Sequence, residues 1–118
     1  MSKAFSDQVV KMAVILDSRK AEDIVMIDVR ESTILADYFV VCSGRSTTHT
    51  RTLADELMEK LDKDGIHKQR IEGYREGRWI VLDYGDVIVH IFHKDERAFY
   101  DIERLWETGD NTAAYPAE

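Results

Sequence analysis

A long apolar stretch near the C-terminal end constrains the fold more than any other part of this sequence. Residues 79–92 read WIVLDYGDVIVHIF, and the run is interrupted chiefly at Tyr84-Gly85-Asp86. Gly85 can adopt the positive φ that a tight turn requires, and apolar segments on both sides of such a turn favour antiparallel pairing. The stretch therefore predicts a buried β-hairpin with strands at 79–83 and 87–92.

Apolar periodicity along the rest of the chain predicts three helices and three more strands. The predicted helices span 6–18, 47–63 and 95–106, and the additional strands span 24–29, 38–42 and 68–71. The apolar side of the last helix is predicted to consist of Phe99, Ile102, Leu105 and Trp106. A strand–helix–strand connection usually joins parallel strands, whereas a hairpin joins antiparallel strands. We therefore predict an α/β fold, a single domain with a mixed five-stranded sheet packed with helices.

The last residues of the chain do not continue this pattern. Residues 108–118, TGDNTAAYPAE, have no periodic apolar face and contain the only proline of the sequence. Segments of this composition at a chain end are often poorly ordered. We therefore predict that the domain spans residues 1–107 and that residues 108–118 form a mobile tail.

Composition and charge exclude several classes of protein. Cys42 is the only cysteine, so no internal disulfide is expected, and no apolar run approaches the roughly 20 residues that cross a bilayer. The N-terminus lacks the apolar stretch of a secretory signal, which favours the cytoplasm. The formal net charge of -7 argues against direct contact with nucleic acid and suits a basic protein partner.

No residue pattern in the chain supports catalysis or a cofactor. The turn at 43–48, SGRSTT, resembles a phosphate cradle at a helix N-terminus, but the next strand lacks the paired carboxylates that would hold a metal ion. His90 and His93 are three residues apart, so a regular strand places them on opposite faces. Cys42 lies in an apolar strand, where cysteine is usually a small buried side chain. We therefore predict no catalytic, metal or cofactor site.

Turn formation accounts for Asp86, but it accounts less well for Asp83. Strand alternation places it on the same face as Trp79, and Tyr84 follows it directly. Aromatic side chains beside a carboxylate suit the binding of a basic protein, since the rings supply contact area and the acid pairs with Arg or Lys. Packing of Trp79 beneath a helix explains the same pattern equally well, so both interpretations stay open.

These features together resemble the ribosomal silencing factors, also called the Iojap family. The similarity lies in IDVRESTILADYFVVCSGRS with the amphipathic helix after it, and in a C-terminal set of residues. This set comprises Gly73, Gly77, WIVLD and YGD at 79–86, VHIF at 89–92, Arg97, Tyr100 and Leu105-Trp106. The resemblance covers roughly residues 5–107 and is specific, because many separated matches occur in the same order.

The resemblance implies a nucleotidyltransferase-like fold without its catalytic carboxylates, and a protein that is not an enzyme. It implies binding to the large ribosomal subunit through large-subunit ribosomal protein fourteen, where the domain sterically blocks joining of the small subunit and represses translation. It also implies a link to late ribosome biogenesis and homodimers of the free protein. The alternative is a nucleotide-binding or nucleotidyltransferase-like enzyme that uses Ser43-Gly44.

The residues expected in or beside the partner contact follow from this resemblance and from the hairpin pattern. Trp106 is expected to anchor the last helix to the core instead. The predicted partner-binding residues are Trp79, Asp83, Tyr84, His90, Arg97 and Tyr100.

Overall fold

The computed structural model describes residues 5–117, so the predicted domain start at residues 1–4 and the tail end at residue 118 lie outside the described residues. This part of the chain contains four helices and six strands. In chain order they are α1 (Asp7–Ser18), β1 (Glu22–Asp28), β2 (Tyr38–Gly44), α2 (Thr47–Lys63), β3 (Arg70–Glu72), β4 (Trp79–Asp83), β5 (Val87–His93), α3 (Lys94–Tyr100), α4 (Ile102–Trp106) and β6 (Thr112–Tyr115).

The strands form one mixed sheet in the order β3-β4-β5-β2-β1-β6. β2 and β5 are parallel, and every other neighbouring pair is antiparallel. The predicted hairpin is confirmed as β4 and β5, with Gly85 at φ +86° in its turn. The crossover from β2 through α2 to β3 connects strands of the same direction, as predicted, although β5 and β4 lie between them.

Helices α1 and α2 cover one face of the sheet, and we call this the closed face. Leu53 and Leu57 of α2 pack with Ile80 and Leu82 of β4, and all four side chains are fully buried. α2 starts where the Ser46 hydroxyl accepts a hydrogen bond from the backbone N–H of His49. This face supplies the larger apolar core, and its burial is the main stabilising contribution to the fold.

The opposite face of the sheet is covered only in part, and we call it the open face. Helix α4 packs Ile102 and Trp106 against it, with the Trp106 ring 5.3 Å from that of Phe39. The expected anchoring role of Trp106 is therefore confirmed.

The predicted single helix at 95–106 is wrong, because Asp101 adopts the left-handed conformation (φ 47°, ψ 52°) and separates α3 from α4. Aspartate tolerates this conformation better than most residues. The change of direction at Asp101 takes Phe99 and Leu105 away from the core, and their side chains are 80% and 76% exposed. The predicted apolar side of this segment therefore keeps only Ile102 and Trp106 against the sheet.

The predicted five-stranded sheet is also wrong, because the segment expected to be a tail contributes the sixth strand. β6 pairs with β1 in antiparallel register, for example Val25 with Ala114. Asn111, only 3% exposed, donates its side-chain N–H groups to the carbonyl oxygens of Asp28 and Trp106, both at 2.9 Å. A single buried amide thus connects β6 to β1 and to the end of α4, an arrangement that apolar periodicity does not reveal.

No helix within residues 5–117 is both long and apolar enough to cross a membrane.

Candidate functional site

The open face is built mainly from alternate residues of β4 and β5. Trp79, Val81 and Asp83 lie on it in β4, and their cross-strand neighbours are Phe92, His90 and Ile88. Strand alternation places these side chains opposite the closed-face residues Ile80, Leu82, Val89 and Ile91. The predicted common face of Trp79 and Asp83 is therefore confirmed.

Trp79 is half-buried at the centre of an aromatic cluster. Its ring stacks on Phe92 at 4.9 Å between centroids and meets Tyr100 of α3 at 4.8 Å. Its indole N–H donates to Nδ1 of His90 at 3.2 Å. Tyr100 is 45% exposed, so the cluster runs from the sheet to the protein surface. Both interpretations of Trp79 hold in part, since the ring packs against a short helix and still reaches solvent.

His90 supports this cluster as a neutral side chain. Its ring lies 4.9 Å from Phe39, edge to face, and only 8% of the residue is exposed. Burial lowers the pKa of His90 to about 4. Because Nδ1 accepts from Trp79, the ring proton is on Nε2, which has no partner within residues 5–117. His90 therefore orients Trp79 and is uncharged at neutral pH.

Asp83 lies at the other end of β4, beside a cavity of about 250 Å³. One carboxylate oxygen accepts the backbone N–H of Gly85 at 2.8 Å, as expected for a turn residue. Among the ion pairs of residues 5–117, none involves Asp83. The cavity is lined by Leu35, Arg70, Glu72, Val81, Asp83 and Ile88. Arg70 and Glu72 pair with each other at 3.3 Å, so the apolar side chains and the half-exposed Asp83 carboxylate suit a cationic side chain with an aliphatic stem.

The structure does not bring Tyr84 to the open face. The residue continues the alternation of β4 and packs into the closed-face core, with 8% of its surface exposed. Burial raises the pKa of its phenol to about 12. The expected surface patch of Tyr84 with Trp79 is therefore wrong, because residues of opposite parity in one strand point to opposite faces.

Arg97 is an internal link and not an exposed contact residue. Its guanidinium donates to Oε2 of Glu103 at 3.0 and 3.1 Å and to the Ser43 hydroxyl at 3.0 Å. Only 9% of the residue is exposed. These bonds join α3, α4 and the end of β2, so Arg97 fixes the helix from which Tyr100 projects.

Sequence reasoning missed several exposed apolar side chains around the open face. Ile34 and Leu35, in the loop before β2, are 102% and 73% exposed. Phe99 is also largely exposed, and its ring meets Tyr100 at 5.1 Å. One available signal was the pair of adjacent aliphatic residues, Ile34-Leu35, in a segment that belongs to neither predicted strand.

The turn at 43–48 uses its own polar groups internally. The backbone N–H of Arg45 donates to Nδ1 of His49, and Ser46 caps α2. A Cβ atom at Gly44 would lie 2.8 Å from the Thr50 side chain, so close packing of β2 and α2 accounts for this glycine. These contacts favour a tight connection over a phosphate cradle. Burial raises the pKa of the Cys42 thiol to about 12, which disfavours a nucleophilic thiolate.

Comparison with known proteins identifies the family. Residues 2–117 match the family described as "Ribosomal silencing factor during starvation". The chain belongs to the ribosomal silencing factor family. Its members are ribosome-binding regulators of translation and not enzymes, in agreement with the expectation from sequence.

Individual ribosomal silencing factors are similar to this chain over most of its length. The Bacillus subtilis protein is 43% identical over 90 residues, 76% of each chain. The Haemophilus influenzae protein is 38% identical over 77% of this chain and 89% of its own. A mouse protein named "Mitochondrial assembly of ribosomal large subunit protein 1" is 32% identical over 78% of this chain and 42% of its own.

Two solved structures share the fold. A crystal structure from Bacillus halodurans has a TM-score of 0.76 and 39% identity, and covers 86% of this chain and 95% of that chain. A crystal structure from Chromobacterium violaceum has a TM-score of 0.81 and 31% identity, and covers 92% of each chain. The single α/β domain with a mixed six-stranded sheet is therefore the fold of ribosomal silencing factors.

Proposed function

We propose that this chain binds the large ribosomal subunit through large-subunit ribosomal protein fourteen, and that the open face forms the contact. The bound domain occupies space that the small subunit needs, so joining of the subunits is blocked and translation is repressed. The observation that carries this proposal is the half-covered open face of a ribosomal silencing factor domain, where aromatic side chains reach solvent beside the Asp83 carboxylate, which forms no ion pair within residues 5–117.

Charge supports the choice of a basic protein over ribosomal RNA as the main contact. The chain has a formal net charge of -7, which disfavours close approach to phosphates and favours a basic protein surface. We therefore propose little direct contact with nucleic acid. We also propose that the protein acts in the cytoplasm without a cofactor, that free copies can form homodimers, and that the fold is nucleotidyltransferase-like without catalytic carboxylates.

The six expected partner-binding residues take different roles in this proposal. Trp79 and Tyr100 supply exposed aromatic area, and Asp83 pairs with a cationic side chain of the partner. His90 orients Trp79 through the hydrogen bond between their rings, and Arg97 holds α3 in place. Tyr84 supports the hairpin turn from the closed face and does not touch the partner.

A second proposed role, in assembly of the large subunit, rests on the mouse relative, whose name refers to this process. The same contact serves both roles, because a factor that covers the joining face of an immature large subunit also excludes the small subunit. The two roles differ in timing and not in the residues used.

Sedimentation of purified ribosomal subunits tests the proposal. Large and small subunits are mixed with and without the protein, and the positions of the protein and of joined ribosomes are recorded. We expect the protein to travel with the large subunit and the fraction of joined ribosomes to fall. If the protein sediments with neither subunit, or binds the large subunit while joining proceeds unchanged, the proposed steric mechanism is incorrect.

A further inference from the structure

The loop between β1 and β2 carries a feature that the core does not explain. Ile34 is 102% exposed and its neighbour Leu35 is 73% exposed. A single exposed aliphatic residue is ordinary on a protein surface. Two adjacent ones in a loop, beside a cavity that Val81 and Ile88 line in part, form an apolar projection, which we call the prong.

Hydrogen bonds on both sides of the prong order the loop before any partner arrives. The backbone N–H groups of Ser32 and Thr33 donate to the carbonyl of Val29 at 3.0 and 3.1 Å. The N–H of Leu35 donates to the Thr33 hydroxyl at 3.1 Å, and the N–H of Asp37 donates to the Asp86 carbonyl at 2.8 Å. A preordered loop loses little conformational entropy on binding, so contacts made by the prong contribute more fully to affinity.

The prong is continuous with the open face. Leu35 lines the cavity of about 250 Å³ together with Val81, Ile88 and Asp83, which are open-face residues of β4 and β5. A partner that contacts Asp83 therefore lies next to Leu35. Ile34 precedes Leu35 in the chain and is fully exposed.

The charges around the prong indicate the chemistry of its partner. Asp28 is paired with Arg30, but no ion pair within residues 5–117 involves Glu31 or Asp37. Asp83 lies across the cavity, where Arg70 and Glu72 pair with each other, so the charges near the prong sum to a negative value. Such a surface repels nucleic-acid phosphates, anionic lipids and a second acidic copy of this chain, and it attracts a basic protein.

We propose that the prong is a second docking element, which inserts into an apolar hollow of a basic protein partner while Asp83 pairs with a neighbouring cation. The inference rests on the proposed function and takes the partner to be large-subunit ribosomal protein fourteen. It adds Ile34 and Leu35 to the contact, which therefore extends from α3 along the open face to the loop before β2.

The test compares two variants with matched chemistry. The Ile34→Ser/Leu35→Ser double variant removes the prong, and Val14→Ser changes a 45% exposed residue of α1, a helix on the closed face, as a control. Affinity for purified large subunits is measured by titration, beside a thermal melt of each variant. We expect the double variant to bind at least about tenfold more weakly, the size of effect typical of central apolar contacts. The control should bind like the unmodified chain, and all melts should be similar.

The same titration with isolated large-subunit ribosomal protein fourteen should show the same loss. A loss with whole subunits but not with the isolated protein would assign the prong to another component and overturn the inference. A loss limited to self-association, or to sedimentation with phosphatidylglycerol vesicles, would overturn it as well.

The prong and the proposed function can fail separately. If the double variant binds normally while Asp83→Lys binds weakly, the prong is not a docking element and the proposed function stands. If the unmodified chain does not bind the large subunit, the proposed function fails and the prong proposal fails with it.

Discussion

The two faces of this sheet come from the same strands but differ in how they are covered. On the closed face, Leu82 and Ile80 of β4 lie under α2 with no exposed surface. On the open face, Val81 and Trp79 of the same strand are half-exposed beside short helices that cover only part of the sheet. Adjacent residues of one strand thus have different tasks: one set stabilises the domain, and the other is available to a partner.

This difference in coverage implies a difference in what mutation removes. Burial of an apolar side chain contributes to folding stability only to the extent that it leaves water. A closed-face truncation should therefore lower the free energy of unfolding, whereas an open-face change should act mainly on binding.

Truncation of neighbouring β4 residues tests the comparison most directly and should give the largest effect. Leu82→Ala leaves a cavity in the closed-face core and should lower the free energy of unfolding by ~2–5 kcal/mol. Val81→Ala removes a half-exposed side chain from the open face and should cost about 1 kcal/mol or less. Urea unfolding of both variants measures the difference. Equal losses would show that the two faces contribute alike to stability.

His90 provides a pH test of the buried part of the open face. Its pKa is lowered to about 4 in the folded protein, against an ordinary value of 6.5. The unfolded chain therefore binds a proton that the folded protein does not, between these two pH values. The stability contribution of neutral His90 is fully present above pH 6.5 and is lost as the pH falls towards 4, by up to about 1.4 kcal/mol per pH unit.

His90→Gln is the control for this measurement, because it cannot titrate while carboxylates elsewhere still do. Unfolding curves at several pH values should show a steeper loss for the unmodified chain than for His90→Gln between pH 6.5 and 4. Parallel pH profiles would mean that His90 is not held neutral by burial.

Charge reversal on the open face should have the smallest free-energy effect of the three, and it should appear mainly in binding, because the only folding contact it removes among those described for Asp83 is the hydrogen bond from the Gly85 N–H. Asp83→Lys places a cation where we propose contact with a basic partner, and should weaken large-subunit binding by about tenfold, or about 1.4 kcal/mol. Asp17→Lys on α1 changes the net charge equally at an exposed position on the closed side. If both variants weaken binding to the same degree, overall charge and not a contact at Asp83 governs the affinity.

Local patterns in the sequence were sufficient for the elements that are regular and strongly apolar. The helix at 47–63 and the first hairpin strand were predicted at their observed bounds, and the second hairpin strand was predicted one residue too short, because the stripe of α2 and the turn between β4 and β5 are local signals. The common face of Trp79 and Asp83 also follows from alternation alone.

The errors at β6 and at Asp101 occurred where distant contacts decide the structure. β6 contains Ala113 and Ala114, which have weak strand preference, and it pairs with β1 while buried Asn111 holds its start. The break at Asp101 is compatible with the role of Arg97, whose bonds to Glu103 and Ser43 span both short helices. Neither partnership is visible in a window of neighbouring residues.

The sequence by itself determined the family, the α/β class and the alternation of the hairpin, because spacing and residue type are properties of the chain alone. Only the tertiary structure decided which face of the sheet α1 and α2 cover, and therefore that Tyr84 is core while Trp79 reaches the surface. The physical reason is that alternation assigns side chains to two faces but does not say which face the helices remove from water. That choice depends on the packing of elements far apart in the chain.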